Sequence, residues 1–219
     1  MKWKIRAVLF DLDGTLADTL ADLANATNQA LAQLGCPTHP VEAYRCFVGD
    51  GAHNLLLRVL PPGQRDRVEE GVRLMREYYE AHCFDLTRLY PGVSELVAAL
   101  QKRACPLAVL SNKPHDFTKR VVAHYFQTSP FAIVKGQLPD IPLKPDPTAA
   151  LRIANELGVP PGEWLYLGDT NTDMRTARAA GMRAVGVLWG FRGREELLES
   201  GAEALVARPD EILHLVAWS

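Results

Sequence analysis

The stretch AVLFDLDGTLADT, Ala7 to Thr19, decides how the rest of the chain is read. An apolar run leads straight into Asp11, and Asp13 follows two positions later. Gly14 and Thr15 then mark a tight turn, and a third acid, Asp18, closes the stretch. An unbroken apolar run of this length reads as a strand, here residues 5–10, buried on both faces. Two carboxylates at the end of such a strand repel each other unless a proton or a cation is shared.

Working outward, Leu20, Leu23, Ala24, Ala30, Leu31 and Leu34 recur at helical spacing, and Gly35 and Pro37 supply the stop. Pro40 opens a shorter helix to about Phe47, which Gly49 and Gly51 break. Residues 52–60 are helical again up to Pro61-Pro62, and over 64–83 Val68, Val72, Met75, Tyr79 and Cys83 share one face. Beyond Tyr90-Pro91-Gly92 the texture changes. Strands at 106–110, 131–135, 164–168, 183–189 and 204–206 alternate with helices at 93–103, 115–125, 147–157, 171–180 and 194–200, and a last helix starts at Asp210. This alternation predicts an α/β fold: a doubly wound, Rossmann-like parallel sheet. Residues 1–17 and 88–219 form that core, and 18–87 are an inserted α-helical domain.

Composition narrows the function. The chain has 219 residues, 47% of them hydrophobic, and 24 basic against 26 acidic residues leave a net charge of -2. No basic stripe marks a nucleic-acid binder, and no apolar run approaches the roughly 18–20 residues of a membrane span. The start of the chain, MKWKIRAVLF, is too short in apolar residues for a secretory signal. Cys36, Cys46, Cys83 and Cys105 form neither a C-x-x-C pair nor a zinc spacing, which predicts reduced thiols in the cytoplasm. A monomer or a homodimer is expected.

In an open parallel sheet, ligands bind beyond the carboxyl ends of the strands. Those ends read Asp11-x-Asp13, Ser111-Asn112-Lys113 and Gly168-Asp169-Thr170, with Asp173 four residues after Asp169. Acids converging at one edge predict a hard divalent cation, with magnesium favoured by oxygen ligands. Lys144, in LKPDP, offers a positive charge to a phosphate, and Ser111 and Asn112 offer hydroxyl, amide and backbone donors. Each piece has a plain structural use as well: a solvated turn, a helix cap, a loop. Their occurrence in order, each at a strand end or just beyond one, favours chemistry.

Residues 11–19 (DLDGTLADT), 111–112 (SN), Lys144-Pro145 and 168–173 (GDTNTD) resemble the four motifs of the haloacid dehalogenase-like superfamily, and the likeness spans the chain. The helical insertion looks like that family's small α-helical cap. The resemblance implies Asp11 as a nucleophile forming an aspartyl-phosphate and Asp13 as acid and then base. It implies Mg2+ held by Asp11, the Asp13 backbone carbonyl and Asp169, with Asp173 reaching the ion through water or orienting Lys144. Lys144 would neutralise the transferring phosphoryl group, while Gly14 and Thr15 shape the phosphate loop. An aspartate at position 13 favours phosphate esters over haloacids or phosphonates.

The segment FVGDGAHNLLLRVL, residues 47–60, resembles the cap of bacterial phosphoglycolate phosphatases. There Gly49, Gly51 and Ala52 would bring backbone N–H groups close to a small carboxylate, and Arg45 or Arg58 would add charge. The same glycines also serve as a plain link between helices. The resemblance implies a phosphatase for a small phosphorylated metabolite, 2-phosphoglycolate first. A β-phosphoglucomutase-like enzyme, a pyrophosphatase, a nucleotidase and a silent binding module are the alternatives.

Overall fold

The computed structural model describes residues 3–218. The chain opens with β1 (Trp3–Ile5) and β2 (Ala7–Phe10), then a two-residue strand, β3 (Ala17–Asp18). Helices α1 (Leu20–Gln33), α2 (Tyr44–Phe47), α3 (Ala52–Val59) and α4 (Val68–His82) follow. The chain returns through β4 (Arg88–Leu89), which pairs antiparallel with β3, so the way out of β2 and the way back lie side by side. The rest alternates: α5 (Val93–Gln101), β5 (Leu107–Pro114), α6 (His115–Tyr125), β6 (Ile133–Gln137), α7 (Thr148–Glu156) and β7 (Trp164–Gly168). Then come α8 (Asn171–Ala179), β8 (Arg183–Val187), α9 (Arg194–Glu199), β9 (Ala204–Val206), α10 (Ile212–Leu215) and β10 (Val216–Trp218).

Six strands form one parallel sheet in the order β6-β5-β2-β7-β8-β9. Strand alternation sends β2 side chains to opposite faces. Val8 and Phe10 join a core with Leu96 and Leu100 of α5, Val121 of α6 and Ile212 of α10. Ala7 and Leu9 join the other, with Ile153 of α7, Met174 and Ala177 of α8 and Leu197 of α9. Helices on both faces explain why β2 reads as an unbroken apolar run.

A third apolar cluster belongs to the insertion. Leu20, Leu31, Leu56, Met75 and Tyr79 are buried together, and Phe117 and Phe191 from the sheet side pack against them. Asp22, buried at the start of α1, accepts hydrogen bonds from the backbone N–H groups of Leu86 and Thr87 and from the Thr87 hydroxyl (2.7–3.1 Å). This carboxylate ties the outgoing helix to the returning strand.

The structure departs locally from the sequence reading. The helix expected over 64–83 begins as a 3-10 segment, Pro62–Arg67, and becomes α-helical only from Val68, where the buried face of α4 starts. The last helix is a single turn, and the chain ends instead in β10, parallel to β1. Strand β5 continues through the polar residues 111–113 with a register irregularity between Leu110 and Pro114.

Candidate active site

β2 ends the first half of the sheet. From it the chain runs through the insertion to β5 and β6 on one side, then crosses back to β7 on the other, so the carboxyl end of β2 is a topological switch point. Asp11 sits there, its backbone N–H donating to the Leu167 carbonyl at 2.9 Å. Its side chain is buried. The Lys144 ammonium donates to Asp11 Oδ1 at 2.8 Å, to Asp173 Oδ1 at 2.7 Å and to the Leu110 carbonyl at 3.2 Å. Burial opposes the Lys144 charge, but Asp11 and Asp173 outweigh it and hold its pKa well above the ordinary value.

Asp169 and Asp173 come from the β7–α8 junction. Thr170 caps α8 with a capping box, its hydroxyl and N–H meeting Asp173 Oδ2 at 2.6 and 3.1 Å. Asp169 accepts from the Thr15 hydroxyl at 3.0 Å and from the Phe191 N–H at 2.8 Å. Gly14, at φ +85°, lies against this carboxylate, and a Cβ there would overlap it. Carboxylate oxygens of Asp11, Asp169 and Asp173 lie within 4.8 Å of one another. Burial, then the neighbouring Asp173 charge, raises Asp11 well above the carboxylate range and pushes Asp169 up to about 7. Three buried acids against one lysine require a proton or a cation for balance, and a hard divalent cation fits that oxygen set.

Asp13 stands apart from this cluster. Its carboxylate meets the Thr19 hydroxyl at 2.7 Å and the Lys113 ammonium at 3.0 and 3.3 Å. Lys113 also lies over the Tyr79 ring, 4.6 Å from its centre. Ser111 is buried, its hydroxyl accepting from the Lys113 N–H. The Asn112 side chain is fully engaged. Its amide donates to the Gly49 and Lys144 carbonyls, and its oxygen accepts from the Lys144 N–H (2.9–3.1 Å). It therefore fastens the lysine loop and the inserted domain rather than offering its amide to a ligand.

A cavity of about 90 Å³ lies between the insertion and the sheet edge. Asp11, Asp13, Ser111, Asn112 and Lys113 line it from below, and Gly49, Gly51, Ala52, Leu55, Met75 and Tyr79 from the inserted helices. Gly49, Gly51 and Ala52 thus lie on the cavity wall. Arg45 and Arg58 do not line it. The Arg58 guanidinium binds the Asp50 carboxylate and the Phe47 carbonyl. Arg45 donates to the Gly190 carbonyl at 2.9 Å. Arg58 thus holds the 47–52 loop, while Arg45, paired also with Glu42, ties the start of that segment to the core, and neither reaches the cavity as the sequence reading placed them. Gly14 and Thr15 likewise serve Asp169 instead of lining the cavity.

Sequence reasoning assigned no role to Lys113, Thr19, Tyr79 or Arg192. Arg192 donates to the Val48 carbonyl at 2.8 Å and so binds the inserted loop to the core. Only Lys113 left a signal, as a charge at the end of a buried strand.

A site of this kind, at the switch point of a doubly wound sheet, is that of an α/β enzyme. A family model described as haloacid dehalogenase-like hydrolase matches residues 8–187, and the chain belongs to that family. The phosphoglycolate phosphatase of Pseudomonas putida strain KT2440 is 36% identical over 197 residues, covering 85% of this chain and 70% of that protein. The phosphoglycolate phosphatase of Escherichia coli K12 is 30% identical over 230 residues, covering 95% and 91%. A solved structure from Lactobacillus delbrueckii subsp. bulgaricus superposes with a TM-score of 0.90 at 31% identity, covering 97% of both chains.

Proposed function

We propose that this chain is a phosphatase that hydrolyses 2-phosphoglycolate to glycolate and inorganic phosphate, with Mg2+ as its cofactor and residues 18–87 as its cap. The chain is a phosphoric monoester hydrolase of the haloacid dehalogenase-like family. The observation that carries the reading is Lys144, bridging Asp11 and Asp173 at 2.8 and 2.7 Å beside a small cavity. Curated relatives that hydrolyse phosphoglycolate support the substrate. The cavity, about 90 Å³, is far below the roughly 300–1,000 Å³ of sites for larger ligands. That favours a small ester over a nucleotide or a sugar bisphosphate.

An Asp11 oxygen attacks phosphorus, and the bond from phosphorus to the leaving oxygen breaks. Asp13 protonates that oxygen as glycolate departs. Asp13 then takes a proton from water, whose oxygen attacks the phosphorus of the aspartyl-phosphate, releasing phosphate and restoring Asp11. Lys144 holds Asp11 in place and faces charge on the phosphoryl oxygens. Asp11, Asp169 and the Asp13 carbonyl would hold Mg2+, with Asp173 at the same cluster. Bound there, the ion supplies charge neutralisation to the phosphoryl group.

No helix among the described residues is long and apolar enough to cross a membrane. The four cysteines are free thiols, which suits the reducing cytoplasm. The decisive experiment is phosphate release from 2-phosphoglycolate, with and without Mg2+, beside β-glucose 1-phosphate, pyrophosphate and nucleotides. Turnover of 2-phosphoglycolate that EDTA abolishes supports the reading. A better sugar phosphate or nucleotide overturns the substrate.

A further inference from the structure

Two polar groups on the cavity wall have no contact with the reacting phosphorus assigned above, although one of them also pairs with Asp13. The first is the Lys113 ammonium, on a side chain only 3% exposed. The second is the Tyr79 hydroxyl, on α4 in the cap, which is buried beside the Lys113 ammonium with no acceptor for its O–H. A buried hydroxyl left unpaired is costly, so one kept at a cavity wall points to an acceptor that arrives from outside. Burial pushes the Tyr79 phenol up to about 12, so at neutral pH it is a neutral donor.

The rest of the wall sharpens the chemistry. Leu23, Val48, Leu55, Val72, Met75 and Phe117 offer nothing to a charge. The other lining cation, Arg76, pairs with Asp116 on a half-exposed surface. Lys113 has three N–H donors; the Asp13 oxygens engage at most two of them, and the Tyr79 hydroxyl oxygen lies beside the ammonium as a weaker, neutral acceptor that an anion would displace. A donor therefore remains for an anionic group entering the cavity.

We infer that Lys113 and Tyr79 together form the seat for a carboxylate on the leaving group of the substrate. The ammonium pairs with the carboxylate, and the phenol donates to one of its oxygens. This rests on the phosphatase reading above and adds the residues that select the ester. Lys113 belongs to β5 of the sheet and Tyr79 to the cap, so the seat exists only with the cap against the core. Selection and closure are thereby one event. An ester lacking the carboxylate gains nothing from either group.

The test is a ratio: kcat/KM for 2-phosphoglycolate over kcat/KM for 2-hydroxyethyl phosphate, which exchanges the carboxylate for an alcohol. The wild type should favour the carboxylate by more than about tenfold. Lys113→Met should lower the ratio at least about tenfold and Tyr79→Phe about threefold, mainly through KM. Tyr79→Phe removes only a hydroxyl that has no acceptor, so its melting temperature should not fall, which separates selection from a structural role. If Lys113→Met has no measurable turnover, Tyr79→Phe decides. A wild type without preference, or a ratio unmoved by Tyr79→Phe, overturns the inference. A wild type that hydrolyses neither ester with Mg2+ overturns the phosphatase reading instead.

Discussion

The two walls of the cavity are built differently. On the sheet side, Asp11, Asp169, Asp173 and Lys144 are buried and locked by short hydrogen bonds to each other and to Thr15, Thr170 and Phe191. On the cap side the wall is mostly apolar, and the 47–52 loop is tethered by a few single bonds from Asn112, Thr172 and Arg192. The rigid wall holds charge that water would otherwise screen, which suits bond making and breaking. The cap wall, with few charges of its own, suits choosing among substrates.

The sharpest break of this comparison comes from the rigid wall. Asp11→Asn should cost at least roughly 10³-fold in kcat, read as phosphate release; retained turnover would remove Asp11 as nucleophile. Lys144→Met leaves Asp11 and Asp173 buried without their counter-charge, a loss of about 3–5 kcal/mol by denaturant titration. An unchanged midpoint would mean that the cluster is not locked as described.

Cation binding should partly offset the surplus of acid. Mg2+ at a hundred times its Kd should stabilise the protein by about 2.7 kcal/mol, and EDTA should reverse this. The pH dependence follows from Asp169, pushed up to about 7 from an ordinary 3.8. A carboxyl with a raised folded value contributes stability that is complete below about pH 3.8 and lost as pH climbs through about 7. Cation-free protein should therefore lose stability from this group over that window, and saturating Mg2+ should flatten the loss. Denaturation midpoints against pH, with and without the ion, check the sign.

The smallest effect belongs to the tethered wall. Arg58→Ala should change kcat/KM for 2-phosphoglycolate by less than about threefold and stability by less than about 1 kcal/mol. Arg58 is partly exposed and its partners are Asp50 and the Phe47 carbonyl. A loss of tenfold or more would return Arg58 to the substrate site.

Much of this was legible because the signals were local. An apolar strand ending in Asp11, the capping sequence around Thr170 and Asp173, and the break at Gly49 and Gly51 each follow from neighbours in the chain. Two-residue strands such as β3 and β4 carry too little pattern to be read, and Arg45 and Arg58 looked free because their partners lie at a distance in sequence or on the next turn.

By itself the sequence determined the sheet, its helical insertion and the charged strand ends, since burial on two faces and helical spacing are periodic properties of neighbouring residues. Only the tertiary structure decided which charge meets which. It brings Lys113 to Asp13 across 100 positions and Lys144 to Asp11 across 133. It also turns Thr15 to Asp169 and leaves the Tyr79 hydroxyl waiting at the cavity. Buried charges and donors must find partners wherever packing brings them, and no local pattern of residues encodes that pairing.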